Sequence, residues 1–401
     1  MKTESKFIPS GGVTSPAGFI AGATSAGIKH AGDSRLDLGI LLSKTPCAAA
    51  AVFTTNKVKA APVLLDVERL RKGAARAVVM NSGCANACTG KQGMADALEM
   101  ADLSARHTGV TPEDMLVAST GVIGTMLPMD RIRSAVPKIV LTPSGGHDLT
   151  RAIMTTDTVP KEAAVKVDGF IIGGMVKGAG MIHPDMATML CFITTDAPVE
   201  KAFLRQSLRR AVSISLNMLS IDGDGSTNDT MLIMANGAAG GKRIDKASPR
   251  AAAFQEALNR LCVHLARESA RDGEGATRLI EVDVTGAANV KDARLAARTI
   301  VGSMLVKAAV HGSDPNWGRV LAAAGRSGAA LAPEKTELFL GDIRVVREGT
   351  PAAFDKGQAV KYLDGEEVKI TLNLHIGRGA ATAWGCDLSE EYVRINAEYT
   401  T

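Results

Sequence analysis

The chain is poor in aromatic residues: two Trp, three Tyr and nine Phe make up 3% of its 401 residues. That scarcity argues against nucleic-acid modules that stack bases on rings. The core must be built from Ala, Val, Ile, Leu and Met. Cysteine is also scarce. Of the six, only Cys84 and Cys88 are close together, and C-x-x-x-C without a second pair is a poor zinc pattern. Six thiols in so long a chain do not make a disulfide framework, so we read them as reduced and expect a cytoplasmic location. Neither charge sign dominates. Lys and Arg number 46 against 42 Asp and Glu, a formal charge of +4, too balanced to imply a polyanionic partner. The clusters Arg69, Arg71, Lys72 and Arg205, Arg209, Arg210 are read as solvated helix faces. No uncharged run of 18 apolar residues occurs, so no membrane span is expected. The opening "MKTESKFIPSGGVTSPAGF" lacks the apolar core of a signal peptide.

What is present is an ordinary globular composition, 46% apolar and 22% charged, long enough for two domains or one large layered one. "AAAAVFTTN" (48–56) and "ARAVVMNSG" (75–83) predict buried strands. "GMADALEMADLSARHTG" (93–109) has helical spacing and a glycine stop. Strands are expected over 113–125, 162–178 and 188–196. A helix is expected from Pro198, at a favoured first-turn position, followed by the polar turn "SIDGDGSTNDT". Further helices are predicted over 249–275 and 289–312, and a strand over 277–286. "KITLNLHIG" and "GAATAWGC" read as a late antiparallel pair. No repeat or low-complexity linker divides the chain. The pattern is α/β, layered, with mixed sheets.

Several motifs fail on inspection. Gly178 and Gly180 begin a G-x-G, but the third glycine of a dinucleotide fingerprint would fall on His183. Lys177 precedes Gly178 rather than following it, as a P-loop requires. No G-x-S-x-G elbow occurs. The acidic turn of Asp222, Asp224 and Asp229 does not satisfy an EF-hand and reads as a turn with Asx hydrogen bonds. His183, beside Pro184, reads as a turn or structural residue.

Thr188 stands where the glycine-rich segment 173–187 becomes an apolar run. It has two readings on the residues alone. A strand start tolerates Thr. A chain cut before Thr188 would instead expose an α-amine, with a reference pKa near 8, able to take the proton of its own hydroxyl. Ala187 is small and leaves its carbonyl open to attack. A ligand-binding protein using the glycine loop without turnover is a third possibility at this level.

The stretch "KGAGMIHPDMATML" resembles the cleavage site of the ornithine acetyltransferase (glutamate N-acetyltransferase) family of arginine biosynthesis. "NSGCANACTG", "STGVIG", "MTTDTVPK", "SIDGDGSTND", "DGEGATR", "VKAAVHGSDPNWGR" and the terminal "INAEYTT" follow in family order. The resemblance covers essentially the whole chain. It implies the family's own α/β fold, similar in logic to N-terminal-nucleophile hydrolases. It also implies self-cleavage between Ala187 and Thr188 into an N-terminal piece, 1–187, and a C-terminal piece, 188–401, paired as a heterotetramer.

The implied reaction is acetyl transfer from N2-acetylornithine to glutamate through an acetyl ester on Thr188, with ping-pong kinetics. Acetyl-CoA is an optional second donor, and no cofactor or metal is implied. By resemblance, Thr120 and Gly121 form the oxyanion hole. Thr156, Lys177, Thr188, Glu274, Asn396 and Thr401 contact substrate, with Thr155 as the alternative to Thr156. Lys177 would pair a carboxylate and Glu274 an ammonium. A related amidase or aminopeptidase that hands the acyl group to water is the rival reading. Two positions depart from the family pattern: Cys84 stands where asparagine is expected, and Gly225 where a hydroxyl residue is usual.

Overall fold

The computed structural model describes residues 5–29, 32, 34–167, 169–183 and 189–398. Before position 188 lie β1 (Lys6–Phe7), β2 (Phe19–Thr24), β3 (Leu38–Phe53), β4 (Ala74–Cys84), β5 (Met115–Val122), β6 (Lys161–Val167) and β7 (Phe170–Lys177). After it come β8 (Leu190–Thr195), β9 (Leu219–Ser220), β10 (Thr230–Ala235), β11 (Leu279–Ala287), β12 (Glu337–Leu340), β13 (Ile343–Arg347), β14 (Thr350–Pro351), β15 (Glu367–Asn373) and β16 (Gly379–Cys386). The helices are α1 (Ala61–Arg69), α2 (Gly90–Thr108), α3 (Met129–Ala135), α4 (Gly146–Ile153), α5 (Lys201–Ile214), α6 (Ala251–Arg271), α7 (Val290–Val301), α8 (Met304–His311), α9 (Trp317–Gly325), α10 (Lys356–Leu363) and α11 (Glu390–Ala397).

Two mixed sheets result. The first runs β1-β6-β7-β8-β10-β3-β4-β5, with β2 also on β3; the second runs β14-β13-β12-β15-β11-β16-β9. Strands β8 and β10 lie between β7 and β3, so chain from both sides of position 188 is interleaved in one sheet. Alternation along β8 divides its side chains. Cys191 and Ile193 join the core with α5 and α6, while Leu190 and Phe192 pack on the opposite face with Leu149 and Ile153 of α4. Helix α6 touches both sheets, so Phe254, Leu258, Leu261 and Leu265 share one core with Ile172 and Ile233 of the first sheet and Ile280 and Val282 of the second. Among the described residues no helix is long and apolar enough to cross a membrane.

Most of the expected elements form, with five differences. The stretch expected as a strand over 162–178 folds back on itself as the antiparallel pair β6 and β7. The stretch expected as a late antiparallel pair does form β15 and β16, but β11 lies between them, parallel to one and antiparallel to the other. The short connection crosses the end of β11, where Leu374 and Ile376 donate backbone N–H groups to Thr285 and Gly286. The helix expected over 289–312 is broken: Gly302 caps α7 and extended Ser303 starts α8. Helix α5 starts later than Pro198, because the Glu200 side chain caps it by accepting from Phe203 N. Arg69 is not a solvated helix charge. It is half-buried and donates to the Met115 carbonyl at the start of β5. The Arg205, Arg209 and Arg210 side chains are exposed, as expected.

Candidate active site

The cavity of interest lies where the ends of β5 and β7 meet the loops before β6 and β10 and the loop after α6. It is about 130 Å³ in volume, and its lining includes Thr120, Gly121, Thr155, Thr156, Lys177, Glu274 and Asn396. Six residues singled out by resemblance are thus gathered from sequence positions nearly 300 apart. Thr155 and Thr156 both reach the cavity, so the geometry does not choose between them. Ala187, Thr188 and Thr401 lie outside the described residues.

Thr120 and Gly121 stand near the end of β5, and their position follows from backbone packing. Gly121 has φ +128°, and a Cβ there would sit 2.3 Å from the carbonyl carbon of Gly83 on β4. Only glycine lets the two strands approach so closely at that dihedral. Neutral amides and hydroxyls hold the crossing. Ser119 Oγ donates to Asn81 Oδ1 (2.6 Å), and Asn81 Nδ2 donates to the Cys84 carbonyl (2.9 Å). Asn228 Nδ2 donates to the carbonyls of Ala85 (2.6 Å) and Ser119 (2.9 Å). Sequence reasoning missed these three side chains. Their signal was present in "NSGC", "STGVIG" and "STND", but the bonds that join these motifs span tens to hundreds of residues.

The opposite side is charged. Lys177 ends β7, is 9% exposed, and donates from Nζ to Thr120 Oγ1 (3.2 Å). Burial lowers the proton affinity of its ammonium below the ordinary lysine value of 10.5; the repulsion of Lys161 adds to this, while Asp157, Glu274 and Asp229 oppose it. Glu274 is buried as well and accepts from Asn396 Nδ2 (2.8 Å). A Cβ on Gly180 would lie 2.3 Å from the Glu274 carboxyl carbon, so the glycine-rich loop lets that carboxylate reach the cavity. Asp229, beside Asn228, is buried; burial pushes its carboxyl well above the usual range, against the hydrogen bond of Thr54 and the charge of Lys177.

The loop after β7 is tied down by Asp222, which accepts from the backbone N–H groups of Met181 and of Ile182 (2.9 Å). Asp222 also closes an Asx turn onto Asp224 N (3.1 Å), the turn expected for this acidic stretch. His183 Nδ1 lies 3.2 Å from Ser220 Oγ. Neither departure from the family pattern lines the cavity. Cys84 is buried, with Sγ 3.0 Å from the Thr125 carbonyl, and burial raises its thiol. A Cβ at Gly225 would meet no atom within 4 Å, so the turn accepts glycine or a hydroxyl residue alike.

Comparison with known proteins places this architecture. The pattern of the ArgJ family matches residues 20–401. The chain is 55% identical over 397 residues to the arginine biosynthesis bifunctional protein ArgJ of Symbiobacterium thermophilum, covering 98% of this chain and 99% of that protein. It is 53% identical over 405 residues to the protein of the same name from Dehalococcoides mccartyi, covering 100% of each. A crystal structure of arginine biosynthesis bifunctional protein ArgJ from Bacillus halodurans is 46% identical with a TM-score of 0.52, and its chain is matched in full by 53% of this one. The chain belongs to the ArgJ family.

Proposed function

We propose that this member of the ArgJ family is a self-processing acetyltransferase of arginine biosynthesis, moving acetyl from N2-acetylornithine to glutamate through an ester on Thr188. The observation that carries the proposal is one cavity with a buried cation, Lys177, and a buried carboxylate, Glu274, beside Thr120 and Gly121 at the end of β5. An amino acid with a carboxylate and a distal ammonium fits two such poles. Thr188 is two residues from Leu190, the strand partner of Lys177.

In self-cleavage the Thr188 hydroxyl attacks the Ala187 carbonyl, the peptide C–N bond breaks, and water hydrolyses the resulting ester. The freed α-amine then serves as the base. Thr188 Oγ gives its proton to that amine and bonds to the acetyl carbon of N2-acetylornithine. The negative oxygen that develops is held at Thr120 and Gly121, where one donor is worth roughly 3–4 kcal/mol. The C–N bond breaks, the proton passes to the leaving amine, and ornithine departs. Glutamate's amine attacks the ester, the C–O bond breaks, and the Thr188 hydroxyl is restored. Both half-reactions use one site.

The interleaving of strands from both sides of position 188 supports two pieces that stay together after the cut, and the family resemblance extends the proposal to their pairing into a heterotetramer. The Bacillus halodurans chain, matched whole by 53% of this one, has the share expected of residues 188–401. The bifunctional designation of the relatives supports a second donor, acetyl-CoA.

Denaturing mass spectrometry of the purified protein tests the cut, and assays with glutamate and each donor separately test the transfer. Two fragments meeting at 187/188 are expected, together with N-acetylglutamate formed from N2-acetylornithine. Thr188→Ala should give one uncut, inactive chain. An intact and fully active wild-type chain, or release of free acetate in place of transfer, would contradict the reading.

A further inference from the structure

Lys161 does not line the cavity, yet three segments that do line it meet on its ammonium. It opens β6, paired with Val176 on β7, the residue before Lys177. Its Nζ donates to Asp157 Oδ1 (2.6 Å) and to Asp272 Oδ2; the three side chains are 1%, 0% and 5% exposed. Each carboxylate then holds backbone. Asp157 accepts from Gly178 N (2.7 Å), directly after Lys177, and from Thr155 N (3.0 Å). Asp272, at the end of α6, accepts from Thr158 N (3.2 Å) and Thr158 Oγ1. Two residues beyond it, Glu274 N donates to the Ala179 carbonyl (2.8 Å). The loop with Thr155 and Thr156, the end of β7 with Lys177, and the turn with Glu274 are all tied to one buried cation.

Stability alone is a weak reason for such a cluster. The desolvation cost of buried ions largely cancels their attraction, and apolar replacements of similar volume are often as stable. What the ions supply here is geometry and charge balance. Lys161 and Lys177 face the same carboxylate, Asp157, which their charges hold down to about 2 against the upward push of burial. Without Lys161, Asp157 keeps Lys177 and Lys29 as its facing cations, and the Lys177 charge is drawn away from the cavity.

We propose that Lys161 is a positioning residue for amino-acid binding, acting through Asp157 and Asp272 to set the Lys177 ammonium and the Glu274 carboxylate as the two poles of the cavity. The proposal rests on the acetyltransferase reading for the identity of the ligand. The charged and titratable groups that face Lys177 are Asp157, Lys161, Glu274 and Asp229, and its charge is also felt at Lys29. Removing the Lys161 charge removes a repulsion, so Lys177 keeps its proton to higher pH.

The test compares wild type, Lys161→Met, and Lys161→Met combined with Asp157→Asn. It measures calorimetric binding of ornithine, then kcat and KM for N2-acetylornithine and glutamate across pH. Ornithine affinity should fall, and KM rise, by about tenfold in Lys161→Met, with a smaller change in kcat. The alkaline limb of kcat/KM should move up by about one pH unit, and the added Asp157→Asn change should bring it back down. If Lys161→Met does not fold, Asp272→Asn, which keeps the shape but removes one anchor charge, should show the KM increase in milder form. Unchanged ornithine affinity in a folded variant would overturn the proposal. So would a loss confined to kcat with the limb unmoved. A wild type that binds ornithine but transfers no acetyl would defeat the acetyltransferase reading instead, and the binding comparison would still decide the role of Lys161.

Discussion

The two sides of the cavity are built by different means. At Thr120–Gly121 two strands are pressed backbone to backbone, and the bonds around them come from the neutral side chains of Asn81, Ser119 and Asn228. At Lys177–Glu274 the groups are charged, buried and held through other buried ions. On the proposed reading, one side offers fixed donors to a charge that appears only during reaction, and the other offers permanent charges to a ligand that already carries them. Substitutions on the first side should therefore lower kcat, and those on the second should raise KM.

The largest effect is expected at Gly121. A methyl there would sit 2.3 Å from the Gly83 carbonyl carbon on a backbone with φ +128°. Gly121→Ala should cut kcat about 100- to 1000-fold with a modest change in KM, since a displaced oxyanion donor costs that much. A KM effect of the same size would erase the contrast between the two sides. Next comes Lys177→Met, which should lower kcat/KM by about 2–3 kcal/mol, the scale of a hydrogen bond to a charged group, and chiefly through KM. The same residue sets a pH dependence in the wild type. On the proposed reading the charged ammonium binds the substrate carboxylate, and burial lowers its proton affinity. Binding should be present at neutral pH and lost as pH rises, with a midpoint below the ordinary lysine value of 10.5. A midpoint above that value would place Lys177 in a different environment.

Asn228→Ala should act on the neutral side through structure. It strips two buried carbonyls of their donor, at a cost of about 1–3 kcal/mol in unfolding free energy. Calorimetry should show a lowered Tm together with a kcat loss smaller than that of Gly121→Ala. Gly225→Ser should do least. The site has open space for a side chain, so stability should stay within about 0.5 kcal/mol of wild type and kinetics should not change. A large loss there would mean that the turn carries more of the site than its geometry indicates.

Local pattern made much of this fold legible. The strand expected at 48–56 overlaps the end of β3, that at 75–83 sits within β4, and the helix expected at 93–109 follows α2 to its Gly109 cap, because apolar period and turn residues are local signals. Pairing was not legible. Nothing in "KITLNLHIG" or "GAATAWGC" says that β11 will insert between them, since sheet neighbours are chosen by tertiary packing. The length of β3 was hidden by its exposed middle, Lys44–Pro46, which reads as a turn. The site divides the same way. Cavity residues were found because whole motifs resemble a family, and the charges of Lys177 and Glu274 alone would have read as surface. Asn81, Ser119, Asn228 and the Lys161 cluster were missed because each acts through a partner tens to hundreds of residues away.

The contrast between the two sides matters only if acetyl passes through a side chain at this cavity. The most direct measurement is to incubate the enzyme with N2-acetylornithine labelled in its acetyl group, without glutamate, quench in acid, and map the labelled peptide. One acetyl per site on Thr188, at the newly exposed end of the C-terminal fragment and discharged when glutamate is added first, is the predicted result. Label on any other residue, or steady transfer to glutamate with no covalent label at any stage, would contradict it.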